Sequence, residues 1–291
     1  MKLKQLIVTA AVLLTCIFQS AIAHEEYLYM LRNGDVTMTI DASYGGRILS
    51  LKYQNQEVLS QSRVGESFGS TFWTSPQKVW NWPPISEFDK MPYLIIKEDE
   101  NRMILRSEIS DHLGFSIGKD FQVNMVSGAF DVTYSIKNES NEPRQVAPWE
   151  ITRVPNADGT IFFEAQNDSI WPADLLDFKA EQGAMWYTTD ETAQNRKVNA
   201  DGKGWLAYYA DGMLLVKHFQ DLQPDEPAPN EAEVQVYVNR GKTYIELESQ
   251  GAYVWLQPGE ELSWTVSWYL LPVQTSTQEE LLKAVCGCLN Q

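Results

Sequence analysis

Histidine and cysteine are scarce in this chain. Three histidines (His24, His112 and His218) and three cysteines (Cys16, Cys286 and Cys288) are spread over 291 residues. That is too few cysteines for a disulfide scaffold. A bridge between Cys286 and Cys288 would be strained across one intervening residue, and two thiolates alone make a poor metal site. Positive charge is in deficit as well: 23 Lys and Arg face 39 Asp and Glu, for a net charge of −16. Phosphate-rich partners need the opposite sign, which argues against nucleic acid and anionic membrane surfaces. Long apolar runs are missing beyond the N-terminus. Strands do not alternate with helical patterns, and there are no internal repeats or low-complexity linkers, so residues 24–291 are expected to form one domain.

The exception to the missing apolar runs lies at the N-terminus. Lys2 and Lys4 precede an apolar stretch from Leu6 to Phe18, followed by Ala21-Ile-Ala23. A short positive region, an apolar region and small residues at a cleavage point make a secretory signal. The stretch falls short of the roughly 20 apolar residues that cross a bilayer. Residues 1–23 are therefore expected to be a cleaved signal peptide, giving a periplasmic or secreted protein that starts at His24, with no integral membrane segment left. A lipoprotein reading would use Cys16, but Thr15 is larger than the residue such sites prefer.

What the rest of the chain does have is strands. Apolar and polar residues alternate in Val36-Thr-Met-Thr-Ile40, along Leu49, Leu51 and Tyr53, and again along Val132, Tyr134 and Ile136. The same period runs through Val234, Val236 and Val238, and through Leu262, Trp264, Val266, Trp268 and Leu270. Turn signals such as Arg32-Asn-Gly34 and Pro258-Gly259 separate the runs. Many strands without crossover helices predict an all-β fold, a large antiparallel β-sandwich. One helix is expected near the C-terminus, with Ser276 as cap, Glu279 completing a capping box, and Leu281, Leu282 and Val285 as its apolar stripe.

Candidate binding residues concentrate in Phe72 to Pro84, where Trp73, Trp80 and Trp82 share a window with three prolines. Prolines place this segment on a loop or an edge. Indoles there either lid the core or offer a broad apolar face on which a pyranose ring stacks, with Asn, Gln and Arg nearby for its hydroxyls. Two polar stretches, residues 165–203 and 221–231, read as long loops of the kind that carry binding residues. Their acids offer oxygen ligands for calcium, yet no spacing among them matches a calcium loop. No other cofactor is indicated.

Several segments resemble galactose mutarotase-like proteins. Asp41-Ala-Ser-Tyr-Gly-Gly-Arg-Ile-Leu-Ser-Leu-Lys-Tyr53 with Glu57-Val-Leu59 is similar to their opening strands. Asn138-Glu-Ser-Asn-Glu-Pro143 is similar to the turn after a central strand, and Leu247-Glu-Ser-Gln250 with Leu256-Gln-Pro-Gly-Glu260 to their C-terminal signature. With the tryptophan segment and Pro148-Trp-Glu-Ile-Thr-Arg153, the pattern most resembles an uncharacterised bacterial envelope branch of that superfamily. The resemblance implies a supersandwich with a carbohydrate ligand on its concave face. It also implies that Glu248 stands where aldose mutarotases keep a general base. Their histidine acid has no counterpart here, and the comparable region offers Glu150 and Arg153 instead.

Three functions stay open at this level. One is a carbohydrate-binding protein using Trp73, Trp80, Trp82, Arg47, Trp149, Arg153 and His218. Another is an enzyme, either an aldose 1-epimerase with Glu150 or His218 as acid, or a glycoside hydrolase using Glu248 and Glu150 as its two carboxyls. A third is a copper oxidative enzyme built on a new N-terminal His24.

Overall fold

The computed structural model describes residues 27–274 and 276–290. The signal segment, Cys16 and His24 lie outside them. The first half of the chain contributes β1 (Leu28–Asn33), β2 (Val36–Asp41), β3 (Arg47–Tyr53), β4 (Gln56–Glu57), β5 (Ser70–Ser75), β6 (Leu94–Asp99), β7 (Arg102–Arg106), β8 (Phe115–Val123), β9 (Phe130–Asn138) and β10 (Arg144–Pro155). The second contributes β11 (Thr160–Phe163), β12 (Lys179–Glu181), β13 (Ala184–Thr188), β14 (Arg196–Ala200), β15 (Trp205–Ala210), β16 (Met213–His218), β17 (Val234–Val238), β18 (Tyr244–Gln250), β19 (Val254–Leu256) and β20 (Glu261–Pro272).

These strands form two ten-stranded antiparallel sheets. One runs β1-β2-β3-β5-β10-β18-β17-β14, with β4 on β3 and β19 on β10. The other runs β12-β13-β11-β15-β16-β20-β9-β8-β7-β6. They pack face to face as a sandwich. Phe72 of the first sheet stacks on Tyr134 of the second at 4.3 Å between ring centroids and 4° between planes. Burying a ring of that size stabilises the fold by about 1.5–3 kcal/mol. Polar ties cross the same layer: buried Lys119 donates to the carbonyls of Gly45 and Gly46 at 2.7 and 3.1 Å. Burial pushes that ammonium down to about 7.

Four local readings of the sequence change. Phe72 to Ser75 is no loop or edge but the end of β5, a strand buried along its whole length between β3 and β10. The prolines begin only after it, so no ladder donor is lost. In β3 the pairing with β2 shifts between Thr39 and Ile40, leaving Leu49 as the extra residue of a bulge. Ile48 and Leu51, not Leu49 and Leu51, therefore reach the core. Residues 165–203 are not one loop, since β12, β13 and β14 lie within them. The C-terminal helix starts at Gln278, and Thr277 rather than Ser276 is its cap, its hydroxyl donating to Glu280 at 3.1 Å. Leu281, Val285 and Cys288 are its buried stripe.

Gly45 shows why a glycine is needed in the turn before β3. Its φ is +68°, and a Cβ there would lie 2.2 Å from the carbonyl oxygen of Asp89. Asp89 ends a one-turn helix, Ser86–Asp89, in which Phe88 and Asp89 are buried.

Candidate functional site

Register decides which side chains of the first sheet look away from the core. Residues paired directly across an antiparallel ladder point to the same face. Three such rows cross the middle of this sheet. Trp73 pairs with Trp149, and Trp149 with Gln250. The next row runs Thr71, Ile151, Glu248, Gln235 and Asn199. The third runs Arg153, Glu246, Tyr237 and Lys197. All three lie on the face opposite the second sheet, and they floor a cleft of about 380 Å³.

Glu248 sits at the centre of that floor. Trp149 Nε1 and Lys197 Nζ both donate to its Oε2, each at 2.8 Å. Its Oε1 accepts no hydrogen bond from the described residues. Burial raises the carboxyl above its ordinary value, while Lys197 pulls it back down and Glu246 adds to the rise. Glu246 lies two residues away on the same strand face and pairs with Arg153 at 2.8 Å. Each carboxylate of the cleft thus has its own cation.

The walls are aromatic. Trp73 is only 7% exposed, and its Nε1 donates to Asp89 Oδ1 at 2.8 Å. It meets Trp149 edge-on at 5.4 Å and Trp82 edge-on at 6.1 Å. Trp80 is buried and gives its Nε1 to the carbonyl of Thr74 at 2.8 Å. Between Trp80 and Trp82, Asn81 takes a φ of +56°, a left-handed turn that asparagine tolerates better than most residues. That turn sends Trp82 outward, 64% exposed, over the cleft mouth. Beyond Trp82 a second hollow of about 290 Å³, lined by Pro83, Pro84, Lys90 and Arg153, shares Trp73, Trp82 and Ser67 with the first.

The predicted site residues therefore divide. Glu248, Trp73, Trp82 and Trp149 line the cleft, with Arg153 under its edge. Trp80 supports the other indoles from within. Arg47 is buried, paired with Asp89 at 3.1 Å, and holds the carbonyls of Glu66 and Phe68. It braces the loop before β5 and lines none of the cleft. His218 belongs to β16 of the second sheet, beside Trp264 and Ser267. Glu150 is wholly buried on the inner face, opposite Phe72 and Ser249, in a salt bridge with Lys217. Strand alternation puts it on the far side of the sheet from Glu248. Glu248 and Glu150 therefore flank no common cavity, and neither Glu150 nor His218 can serve as acid to Glu248. The second carboxylate that shares the cleft is Glu246. Among the described residues no three His, Cys, Asp or Glu side chains form a metal site.

Tyr244, Lys197, Tyr237 and Gln77 complete the lining, and the last three were not singled out from sequence. Lys197 had a signal: Val198 and Ala200 are buried and alternate with Lys197 and Asn199 in an otherwise polar run. Tyr237 alternates with the valines of β17 in the same way.

An antiparallel β-sandwich with an acid-floored, aromatic-walled cleft on one sheet is the class these features define. No protein-family model and no curated protein matches the sequence. Solved structures do match the fold. A candidate aldose 1-epimerase from Escherichia coli K12 superposes with a TM-score of 0.60 at 12% identity, over 84% of this chain and 99% of that one. A galactose mutarotase-like protein from Lactobacillus casei gives 0.60 at 11% identity, over 84% and 100%. One from Clostridium acetobutylicum gives 0.57 at 12%, over 84% and 95%. The fold is the galactose mutarotase-like sandwich.

Proposed function

We propose that the protein binds a neutral carbohydrate in the cleft above Glu248. The observation that carries this reading is the pairing of a solvent-exposed indole, Trp82, with a carboxylate, Glu248, one of whose oxygens takes no hydrogen bond from the described residues. Trp82 offers the apolar surface on which a pyranose stacks, and Glu248 Oε1 is an acceptor for a sugar hydroxyl. Glu246 and Glu248 are both neutralised by Arg153 and Lys197, so a ligand has no net charge to compensate. The mutarotase-like fold supports a sugar ligand. We further propose that residues 1–23 direct export, that the mature protein is periplasmic or secreted as one domain, and that it represents an envelope branch of the superfamily. Intact mass of the exported protein tests the export reading: it should start at His24, and a lipid-bearing Cys16 would overturn it.

The binding test is a calorimetric and thermal-shift screen of hexoses and pentoses against the parent and Glu248→Gln. A sugar that stabilises the parent and not the variant supports the site. Equal responses would move the ligand elsewhere.

Lys197 favours a second reading, aldose 1-epimerase. Glu248 Oε1 would take the proton from the anomeric hydroxyl as the bond from C1 to the ring oxygen breaks. The Lys197 ammonium would give its proton to that ring oxygen, leaving the open-chain aldehyde to reclose on either face. Anomer exchange followed by polarimetry separates the readings. Acceleration that disappears in Lys197→Met makes the protein an enzyme, and spontaneous rates leave it a binder.

A further inference from the structure

Beside the cleft above Glu248 lies a roomier hollow of about 500 Å³. Gln166, Asn167, Trp171, Asp201, Asn230 and Glu233 are among its lining residues. It draws on both polar stretches, residues 165–203 and 221–231.

Register places the two cavities on one surface. Trp171 forms an antiparallel bridge with Asn199, each backbone N–H reaching the other's carbonyl at 2.9 and 2.8 Å. Asn199 pairs with Gln235, and Gln235 with Glu248. Trp171 therefore extends the row that carries Glu248, on the same face, three strand spacings or about 14 Å along it. It is 45% exposed and presents its indole to the hollow. Trp82 and Trp171 are thus two exposed indoles, one over each of two neighbouring hollows on the same face.

Glu231 is the low wall between them. Its Oε1 accepts the backbone N–H of Gln77, a cleft residue, at 3.2 Å. Its Oε2 accepts Gln235 Nε2 at 3.0 Å and Gln250 Nε2 at 3.2 Å. Every contact of this carboxylate joins the hollow to the cleft floor. On the hollow's inner side, Glu233 is fixed by the backbone N–H groups of Gly204 and Leu222 at 2.9 and 3.0 Å. Burial raises it to about 7.

We propose that the hollow is a further sugar subsite and that the ligand of this face is a linear oligosaccharide, one unit against Trp82 over Glu248 and a later unit against Trp171. A span of about 14 Å between Glu248 and Trp171 exceeds one pyranose and suits a chain of rings joined end to end. The proposal rests on the sugar-binding reading above and specifies its ligand.

Calorimetric titration along ladders of one to six units tests it, using gluco-, galacto-, manno- and xylo-oligosaccharides of α and β linkage. For the series that binds, affinity should rise about tenfold or more between the monosaccharide and the chain that reaches Trp171, with one chain bound per protein. Trp171→Ala should remove that gain and leave the monosaccharide affinity and the melting temperature unchanged, whereas Trp171→Phe should keep much of it. Trp82→Ala should weaken every member. A flat ladder, or a Trp171→Ala variant that matches the parent at every length, overturns the subsite while leaving the single-sugar site intact. Failure of the whole panel to bind overturns both.

Discussion

Two glutamates on opposite faces of the first sheet each pair with a lysine, and the pairs differ in what surrounds them. Glu150 of β10 meets Lys217 of β16 inside the sandwich, both wholly buried. Ser70 and Thr152 hydroxyls each donate to Glu150 Oε1 at 2.5 Å, and Lys217 also donates to Thr152 at 2.8 Å. Trp268 covers the ammonium at 4.6 Å, and burial pushes it well below its ordinary value. Glu248 of β18 meets Lys197 of β14 on the other face, where the lysine is one-third exposed and the carboxylate lines a cleft. The inner pair is closed to any ligand and ties one sheet to the other. The outer pair has an acceptor, Glu248 Oε1, that no described residue hydrogen-bonds, beside open aromatic surface. The same two residue types do structural work on one face and are available for recognition on the other.

Removing half of the inner pair should have the largest effect. Lys217→Met leaves an uncompensated buried carboxylate and should cost about 3–5 kcal/mol in urea denaturation. Adding Glu150→Leu should recover part of that loss. If Lys217→Met is no worse than Lys197→Met, the two pairs are alike and the contrast fails. Trp73 and Trp82 repeat the contrast among the indoles. Trp73→Ala should destabilise by about 3–5 kcal/mol, as large buried aromatics do. Glu248→Gln comes next: it should barely move the melting temperature yet weaken sugar binding by about 1.5–3 kcal/mol, the scale of a hydrogen bond to a charged group.

The smallest effect is on pH dependence. Burial raises the Glu248 carboxyl in the fold above its ordinary 4.5, so at pH values between the two the folded state holds a proton that the unfolded state has lost. Stability contributed by this group is present below 4.5 and falls as pH rises through its raised value. Sugar binding, which needs the carboxylate, should move the other way and weaken on acidification. The difference in stability between parent and Glu248→Gln, followed against pH, isolates the contribution of this carboxyl. A flat difference would mean that the carboxyl is not desolvated in the cleft.

Much of the sandwich was legible because half-buried strands alternate. Val36 to Ile40, β17 and β20 show the period plainly, and alternation along β18 is enough to put Tyr244, Glu246 and Glu248 together. Where the period vanishes, so does the information. β10 is buried almost throughout, on both faces, so nothing local says that Trp149 faces the cleft while Glu150 faces the core. That distinction depends on pairing with β5 and β18, one of which is nearly a hundred residues away. Lys197 escaped for a related reason: its strand is a short edge in a polar region, recognisable only by Val198 and Ala200. The prolines after Ser75 misled because their effect on a strand stops where the strand does.

Calorimetric titration of Trp82→Ala beside the parent, with thermal unfolding of both, tests sugar recognition on this face most directly. The ligand is whichever sugar the screen finds tightest. Affinity should fall by about 1–3 kcal/mol while the melting temperature holds, as for an exposed aromatic hot spot. Unchanged affinity in a variant that unfolds like the parent would contradict the site, whatever the sugar proves to be.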